Sequence, residues 1–182
     1  MVSFKSSLHA WLVLLAMSFS VHAHADSKAE IDRGARTTLQ QLLSGHADAK
    51  KLSEKAIAVL VFPKVTKAGL MVGGQYGEGV LLREGRPVAY YNTAGGSFGL
   101  QAGAQQFGYV LFFMKEAALK ALNSTEGFEV GVGPSVVVVD QGLAKSTTSI
   151  TAQDDIYAFI TGQKGLMAGI GIQGNKITKL NK

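Results

Sequence analysis

The chain has 182 residues, carries 18 Lys and Arg against 13 Asp and Glu, and contains no cysteine. Without cysteine it can form neither disulfides nor thiolate metal sites, and it cannot hold a lipid on an N-terminal cysteine. Its basic residues are spread along the sequence rather than gathered into the concentrated patch typical of nucleic-acid binders. We therefore expect no nucleic-acid partner.

The first 25 residues have the three-part pattern of a secretory signal peptide. Lys5 gives a positive start, residues 10–21 are mostly apolar, and Ala23 and Ala25 place small residues before a cleavage site. The apolar run is shorter than the roughly 20 residues that a membrane-spanning helix needs. We expect removal of residues 1–25 and export to the periplasm.

The expected mature chain, residues 26–182, has 157 residues and a net charge of +4. This length suits a single domain with its own core. Three of the four histidines lie in the signal-like segment, and only His46 remains. A metal site built from several histidines is therefore excluded, and we expect no metal centre of that kind.

Two helices are predicted at the start of the mature chain. Ser27 and Glu30 have the spacing of a capping box, and apolar residues follow at helical intervals, which predicts a helix over 28–43. Its outer face carries Lys28, Arg33 and Arg36. A second, shorter helix is predicted over 48–55.

The rest of the chain has the composition of a β-sheet. Residues 57–62 form an apolar run ended by Pro63, which reads as a buried strand, and residues 69–174 mix glycine with β-branched and aromatic residues. Recurrent turn signals predict many short strands in a curved sheet or small barrel. A helix is predicted over 114–122, while residues 157–161 fit either a strand or a helical turn. The predicted fold class is α+β, with a mostly antiparallel sheet and the N-terminal helix packed on it.

Two glycine motifs look catalytic but lack their proper context. Residues 95–99 match a nucleophile elbow around Ser97, yet no histidine follows that serine and the next residues alternate like a strand. Residues 169–174 match a dinucleotide fingerprint, yet a strand-like segment follows where a helix is required. We interpret them as a glycine-kinked strand and a hairpin turn, and expect no catalytic residues and no cofactor.

Two polar elements are open to more than one reading. Asp154 and Asp155, with Asp140, could offer oxygen ligands to a cation, although adjacent aspartates are more often a solvated loop or a helix cap. Lys64 and Lys67 lie in a predicted tight link after Pro63. Such a basic loop fits a contact site as well as an ordinary solvated loop.

Four blocks of the sequence resemble the SYLF domain family: residues 56–74, 94–105, 128–134 and 164–169. They follow the family's order and together cover nearly the whole mature chain. The resemblance implies a non-enzymatic domain that binds phosphoinositides or other acidic lipids. Gly171 and Gln173 depart from the family pattern, in which a serine and an acidic residue are frequent, and this weakens the case for a polar or cation site there.

The sequence thus predicts lipid binding at the periplasmic face of a membrane, with anionic phospholipid as the partner and a possible role in envelope maintenance. Lys64 and Lys67 are expected to contact head groups, supported by Lys28, Arg33 and Arg36. Two alternatives remain open. One is a structural envelope protein that binds another protein or peptidoglycan, and the other is a small hydrolase that uses Ser97.

Overall fold

The computed structural model describes residues 26–124, 127–139, 153–162, 172 and 174–182, with only the backbone given for residues 70–72 and 97–103. The predicted signal peptide lies outside the described residues. The described elements, in chain order, are α1 Lys28–Gly45, α2 Ala47–Lys55, β1 Ala58–Arg83, β2 Arg86–Phe113, α3 Glu116–Leu122, β3 Phe128–Glu129, β4 Val136–Val139, β5 Ile156–Thr161 and β6 Lys176–Leu180.

The first helix begins at the predicted capping box. The backbone N–H of Glu30 donates to Ser27 Oγ at 3.3 Å, and the Glu30 carboxylate accepts from the Ser27 backbone N–H at 2.8 Å. These reciprocal bonds satisfy N–H groups that the first helical turn would otherwise leave unpaired. The helix buries Ile31, Ala35 and Leu42 and ends at Gly45, so the predicted helix is confirmed. The second predicted helix is confirmed as α2.

The sheet is built around one very long hairpin, and the prediction of many short strands is wrong for this region. Strands β1 and β2 contain 26 and 28 residues and pair antiparallel along their lengths. Glu84 and Gly85 form the connecting turn with φ of 51° and 74°, the positive values that two-residue hairpin turns require. Gly95 and Gly96, interpreted from the sequence as part of a glycine-kinked strand, do lie inside β2.

Pro63 does not end the first strand as expected, because it lies in a β-bulge. Phe62 pairs with Tyr109 and Val65 pairs with Phe107, so Pro63 and Lys64 together oppose the single residue Gly108. A bulge leaves one residue outside the ladder, which lets the strand accept a proline that has no N–H to donate.

Glycine allows the hairpin to fold back on itself. A Cβ atom on Gly77 would lie 2.6 Å from the carbonyl oxygen of Lys64, and one on Gly79 would lie 2.6 Å from Cδ1 of Phe62. The second half of β1 therefore packs directly on the backbone of its first half, an approach that only residues without a side chain permit. The hairpin consequently curls into a half-barrel.

The remaining strands extend this curled sheet from β2. The order is β3-β6-β2-β5-β4, with β1 also paired to β2. All pairs are antiparallel except β4 with β5. The α+β class with a mostly antiparallel curved sheet is confirmed. Residues 157–161, which the sequence left open between a strand and a helical turn, lie in strand β5.

Two apolar cores cover opposite faces of the sheet. Along β1, Leu60 and Phe62 point into the concave face, while Val61 between them packs under the N-terminal helices. This alternation is the period of two that a strand imposes. Each fully buried side chain of this size contributes about 1.5–3 kcal/mol through removal of apolar surface from water. Within the described residues, no helix has the length and apolarity needed to cross a membrane.

Candidate lipid-binding surface

The bulge in β1 brings the basic element next to the first helix. A Cβ atom on Gly34 of α1 would lie 3.0 Å from Cβ of Pro63, so the helix rests on the bulge itself. Lys64 follows Pro63, and its Nζ lies 4.0 Å from Oδ2 of Asp26, which precedes the helix. The prediction that Lys64 and Lys67 lie in a tight loop is wrong, because both residues belong to strand β1. A bulge re-aims a side chain, and here it is the bulge that places Lys64 beside α1.

Arg33 and Lys64 both lie near Glu30 at the start of α1. The pKa of the Glu30 carboxyl is held below its ordinary value chiefly by hydrogen bonding to Ser27, and the positive charges of Arg33 and Lys64 lower it further. A shared electrostatic effect on one carboxylate means that both cations are close to it. Sequence alone could place Arg33 on a helix face but not beside Lys64.

Lys28 occupies the other flank of α1. Its Nζ lies 5.6 Å from the centre of the Tyr90 ring, within the range of a cation–π contact. The Tyr90 hydroxyl donates to Asp32 at 3.1 Å, and burial together with this carboxylate raises the tyrosine's pKa. Lys28 is thus held against β2 and partly offset by Asp32.

Arg36 and Lys67 complete the predicted set. Arg36 is exposed on α1, and Lys67 is half-buried opposite Gln105 of β2. Among the residues that the structure describes, neither of these cations nor Arg33 forms a salt bridge. The five basic side chains lie on α1 and on the first half of β1, and three carboxylates, those of Asp26, Glu30 and Asp32, lie at the start of α1. We call this set of five cations the basic surface.

Sequence reasoning missed a half-buried ion pair beside the basic surface. The side chain of Glu78 is 5% exposed, and one of its oxygens lies 2.5 Å from Nζ of Lys182. The same ammonium donates to the carbonyl of Asp26, and the Tyr76 hydroxyl donates to the other Glu78 oxygen at 3.0 Å. The only sequence signal was an isolated acidic residue within a strand-like run, which identifies no partner 104 positions away.

A family model described as "Ysc84: Las17-binding protein actin regulator" matches residues 94–182, from the middle of β2 to the end of the sequence. Residues 94–182 belong to this SYLF family. The resemblance read from the sequence is confirmed, and the family supports a regulatory binding role of the lipid- and actin-associated kind in general. No curated protein matches the chain. All five cations of the basic surface lie before residue 94, outside the matched segment.

Among the described residues, the interior of the half-barrel includes a buried polar cluster beside the apolar core. Tyr109 donates its hydroxyl to Thr93 at 2.6 Å, and Gln75 donates to Asn175 at 2.5 Å. Gly95 makes room for this cluster, because a Cβ there would overlap the Asn175 amide oxygen. Burial raises the pKa of Tyr109, so its hydroxyl remains protonated and able to donate. The hydrogen bond from Gln75 links Asn175, which directly precedes β6, to strand β1 of the hairpin.

Within the part of the chain that the structure describes, the motifs that suggested other chemistry form no complete site. Strand β2 continues through residues 95–99, so the strand–turn–helix of a nucleophile elbow is not formed there; the Ser97 side chain lies outside the described residues. Asp155 contacts Lys115 at 2.8 Å and accepts from the Ser135 backbone, and both contacts lower its pKa. Asp140 lies outside the described residues, among which no group of three or more metal-ligating side chains occurs. The dinucleotide-like motif, with Gly171 and Gln173, falls largely outside them too, but β6 confirms the strand predicted after it.

Proposed function

We propose that this protein is a non-enzymatic domain that binds acidic phospholipid head groups through the basic surface. In this proposal it is exported and acts at the periplasmic face of a membrane. The observation that carries it is the position of Arg33 and Lys64 near Glu30 at the helix start, with Arg36 and Lys67 adding cations that have no salt bridge to a described residue. Such cations keep their charge available for an external anion.

The expected strength is modest and comes from several weak contacts. Each basic residue near an anionic membrane contributes about 1 kcal/mol, and this attraction decays within a Debye length. Lys28 and Lys64 are partly engaged inside the protein, by Tyr90 and Asp26. We therefore expect reversible, peripheral binding that is sensitive to salt rather than tight insertion.

The test is flotation with vesicles of phosphatidylglycerol mixed with phosphatidylcholine, and with phosphatidylcholine alone. The parent should float with the anionic vesicles only, and raising salt from about 0.1 M to about 1 M should release it, because the Debye length shrinks from about 10 Å to about 3 Å. Lys64→Glu combined with Lys67→Glu should weaken binding at least tenfold, since two attractive contacts of about 1 kcal/mol each become repulsive.

The matched control changes the same charge elsewhere. Lys50 and Lys51 are exposed on α2 and lie outside the basic surface. The double change Lys50→Glu and Lys51→Glu should reduce binding much less than the β1 pair. Equal losses of binding in the two double variants would mean that net charge, not the basic surface, drives binding. Failure of the parent to bind anionic vesicles would refute the lipid proposal.

A second candidate function is binding of a protein partner in the cell envelope, or of peptidoglycan. The family description favours it to the extent that it names a protein-binding regulator. Co-purification of a partner from envelope extracts, by a protein that does not float with vesicles, would support this candidate over lipid binding.

A further inference from the structure

Three large apolar side chains are strongly exposed among the residues that the structure describes. Tyr76 is 48% exposed, Val88 is 53% exposed and Val132 is 60% exposed. Single exposed apolar residues are common on protein surfaces and mean little by themselves. Their surroundings decide whether one of them has a role.

Tyr76 differs from the two valines because it lies against the basic surface. Its hydrogen-bond partner Glu78 binds Lys182, and the Lys182 ammonium also donates to the carbonyl of Asp26. The Asp26 carboxylate lies 4.0 Å from the Lys64 ammonium, and its charge acts on the tyrosine hydroxyl. Val88 is the extra residue of a bulge near the hairpin turn, and Val132 lies in the loop after β3.

The Tyr76 side chain is fixed at its hydroxyl end, and about half of its surface is exposed to solvent. Its hydroxyl donates to Glu78, which is buried and also binds Lys182, so the polar end of the side chain is fixed inside the protein. The exposed half of the ring then lies at the edge of the basic surface, near the Asp26 carboxylate that pairs with Lys64. An aromatic ring next to lysine ammonium groups is the combination enriched at the level of lipid head groups, where the ring meets the acyl boundary and the cations meet phosphate.

We propose that Tyr76 is the interfacial anchor of the basic surface: its ring enters the head-group region of an anionic phospholipid membrane while Lys64 binds phosphate beside it. This inference rests on the proposed lipid-binding function and adds the orientation of the bound protein. The bulge side of β1 and the start of α1 face the membrane. Val88 and Val132 stay in water.

Site-specific fluorescence tests the orientation. The sequence has one tryptophan, Trp11, so the full chain carrying Trp11→Phe accepts a single introduced tryptophan as reporter. Tyr76→Trp should shift its emission to the blue when vesicles of phosphatidylglycerol and phosphatidylcholine are added, and should not shift with phosphatidylcholine alone. Val88→Trp and Val132→Trp should show no shift with either. A shift at a valine position but not at position 76 would overturn the proposal.

Flotation separates the ring from the hydroxyl. Tyr76→Phe keeps the ring and should bind within about twofold of the parent, whereas Tyr76→Ser removes the half-exposed ring and should lose roughly fivefold in affinity. Thermal unfolding followed by circular dichroism confirms that each variant is folded at the assay temperature. If Tyr76→Ser is unfolded there, the Tyr76→Trp emission decides by itself.

The outcomes distinguish this inference from the proposed function. If the parent fails to float with anionic vesicles, both the lipid-binding proposal and the Tyr76 anchor are refuted. A parent that floats, with a folded Tyr76→Ser variant that floats equally well, removes the anchor and leaves the lipid-binding proposal standing.

Discussion

The close packing of β1 on itself predicts that alanine at position 79 is strongly destabilising. Gly79 is buried, and a Cβ atom there would lie 2.6 Å from Cδ1 of Phe62 and nearer still to the carbonyl oxygen of Val61. Both neighbours are fully buried and belong to opposite cores of the sheet. Neither can move without disturbing packing, so the added methyl group has to displace backbone.

The size of the effect follows from this geometry. Adding a methylene to a tightly packed core costs about 1–3 kcal/mol, and displacement of backbone places Gly79→Ala at about 2 kcal/mol or more. For a chain of this length, 1 kcal/mol lowers the melting temperature by about 2–4 °C, so we expect a decrease of roughly 4–8 °C. Thermal unfolding followed by circular dichroism measures it.

Gly74→Ala is the matched control in the same strand. Gly74 is exposed, and the nearest heavy atom to its added Cβ would be the carbonyl oxygen of Gly95 at 3.9 Å, an ordinary contact distance. Its melting temperature should therefore stay close to the parent's, within the effect of about 0.5 kcal/mol that is usual for surface changes. If Gly79→Ala and Gly74→Ala both have the melting temperature of the parent, the close contact between the two halves of β1 is refuted.

Two further predictions concern the N-terminal segment. The Glu30 pKa is lowered from its ordinary 4.5 by Ser27, so the capping box stabilises the fold fully above that pH and loses its contribution as pH falls through the lower folded-state pKa. Glu30→Gln should therefore show a shallower loss of melting temperature than the parent on acidification below about pH 5, and an equally steep loss would contradict the capping role. N-terminal sequencing of the envelope form should begin at Asp26, whereas a form beginning at Met1 or Val2 would refute export.

Helices were predictable here because their signals are local. The capping box and the apolar spacing fixed α1 to within two residues at its end, and α2 to within one residue at its start. The long hairpin was not predictable because the same glycines that mark turns also mark bends and close approaches. Gly95 and Gly77 look alike in sequence, yet one makes space for the Asn175 amide and the other for a backbone carbonyl. Only the pairing of distant segments decides between these uses.

The basic surface was predictable as a set of residues but not as an arrangement. Helical periodicity placed Arg33 on an outer face, and composition marked Lys64 as part of a basic element. Their proximity depends on the contact between Gly34 and Pro63 at the bulge, which no local pattern encodes. The Glu78–Lys182 pair and the half-buried setting of Tyr76 depend in the same way on where the last strand returns.

The central position of β2 divides the protein into parts of unequal local stability. At residues 109–113, β2 is hydrogen-bonded to β1 on one edge and to β5 on the other, and its two faces are covered by the two cores. We expect these amides to exchange with solvent deuterium more slowly than those of the helix ends, because they lie between two paired strands and under two buried faces. The first turn of α1 has one buried face and a solvent-exposed cap, so it can open alone. We therefore expect the turn that carries Lys28 to rearrange on a ligand more readily than the hairpin beneath it.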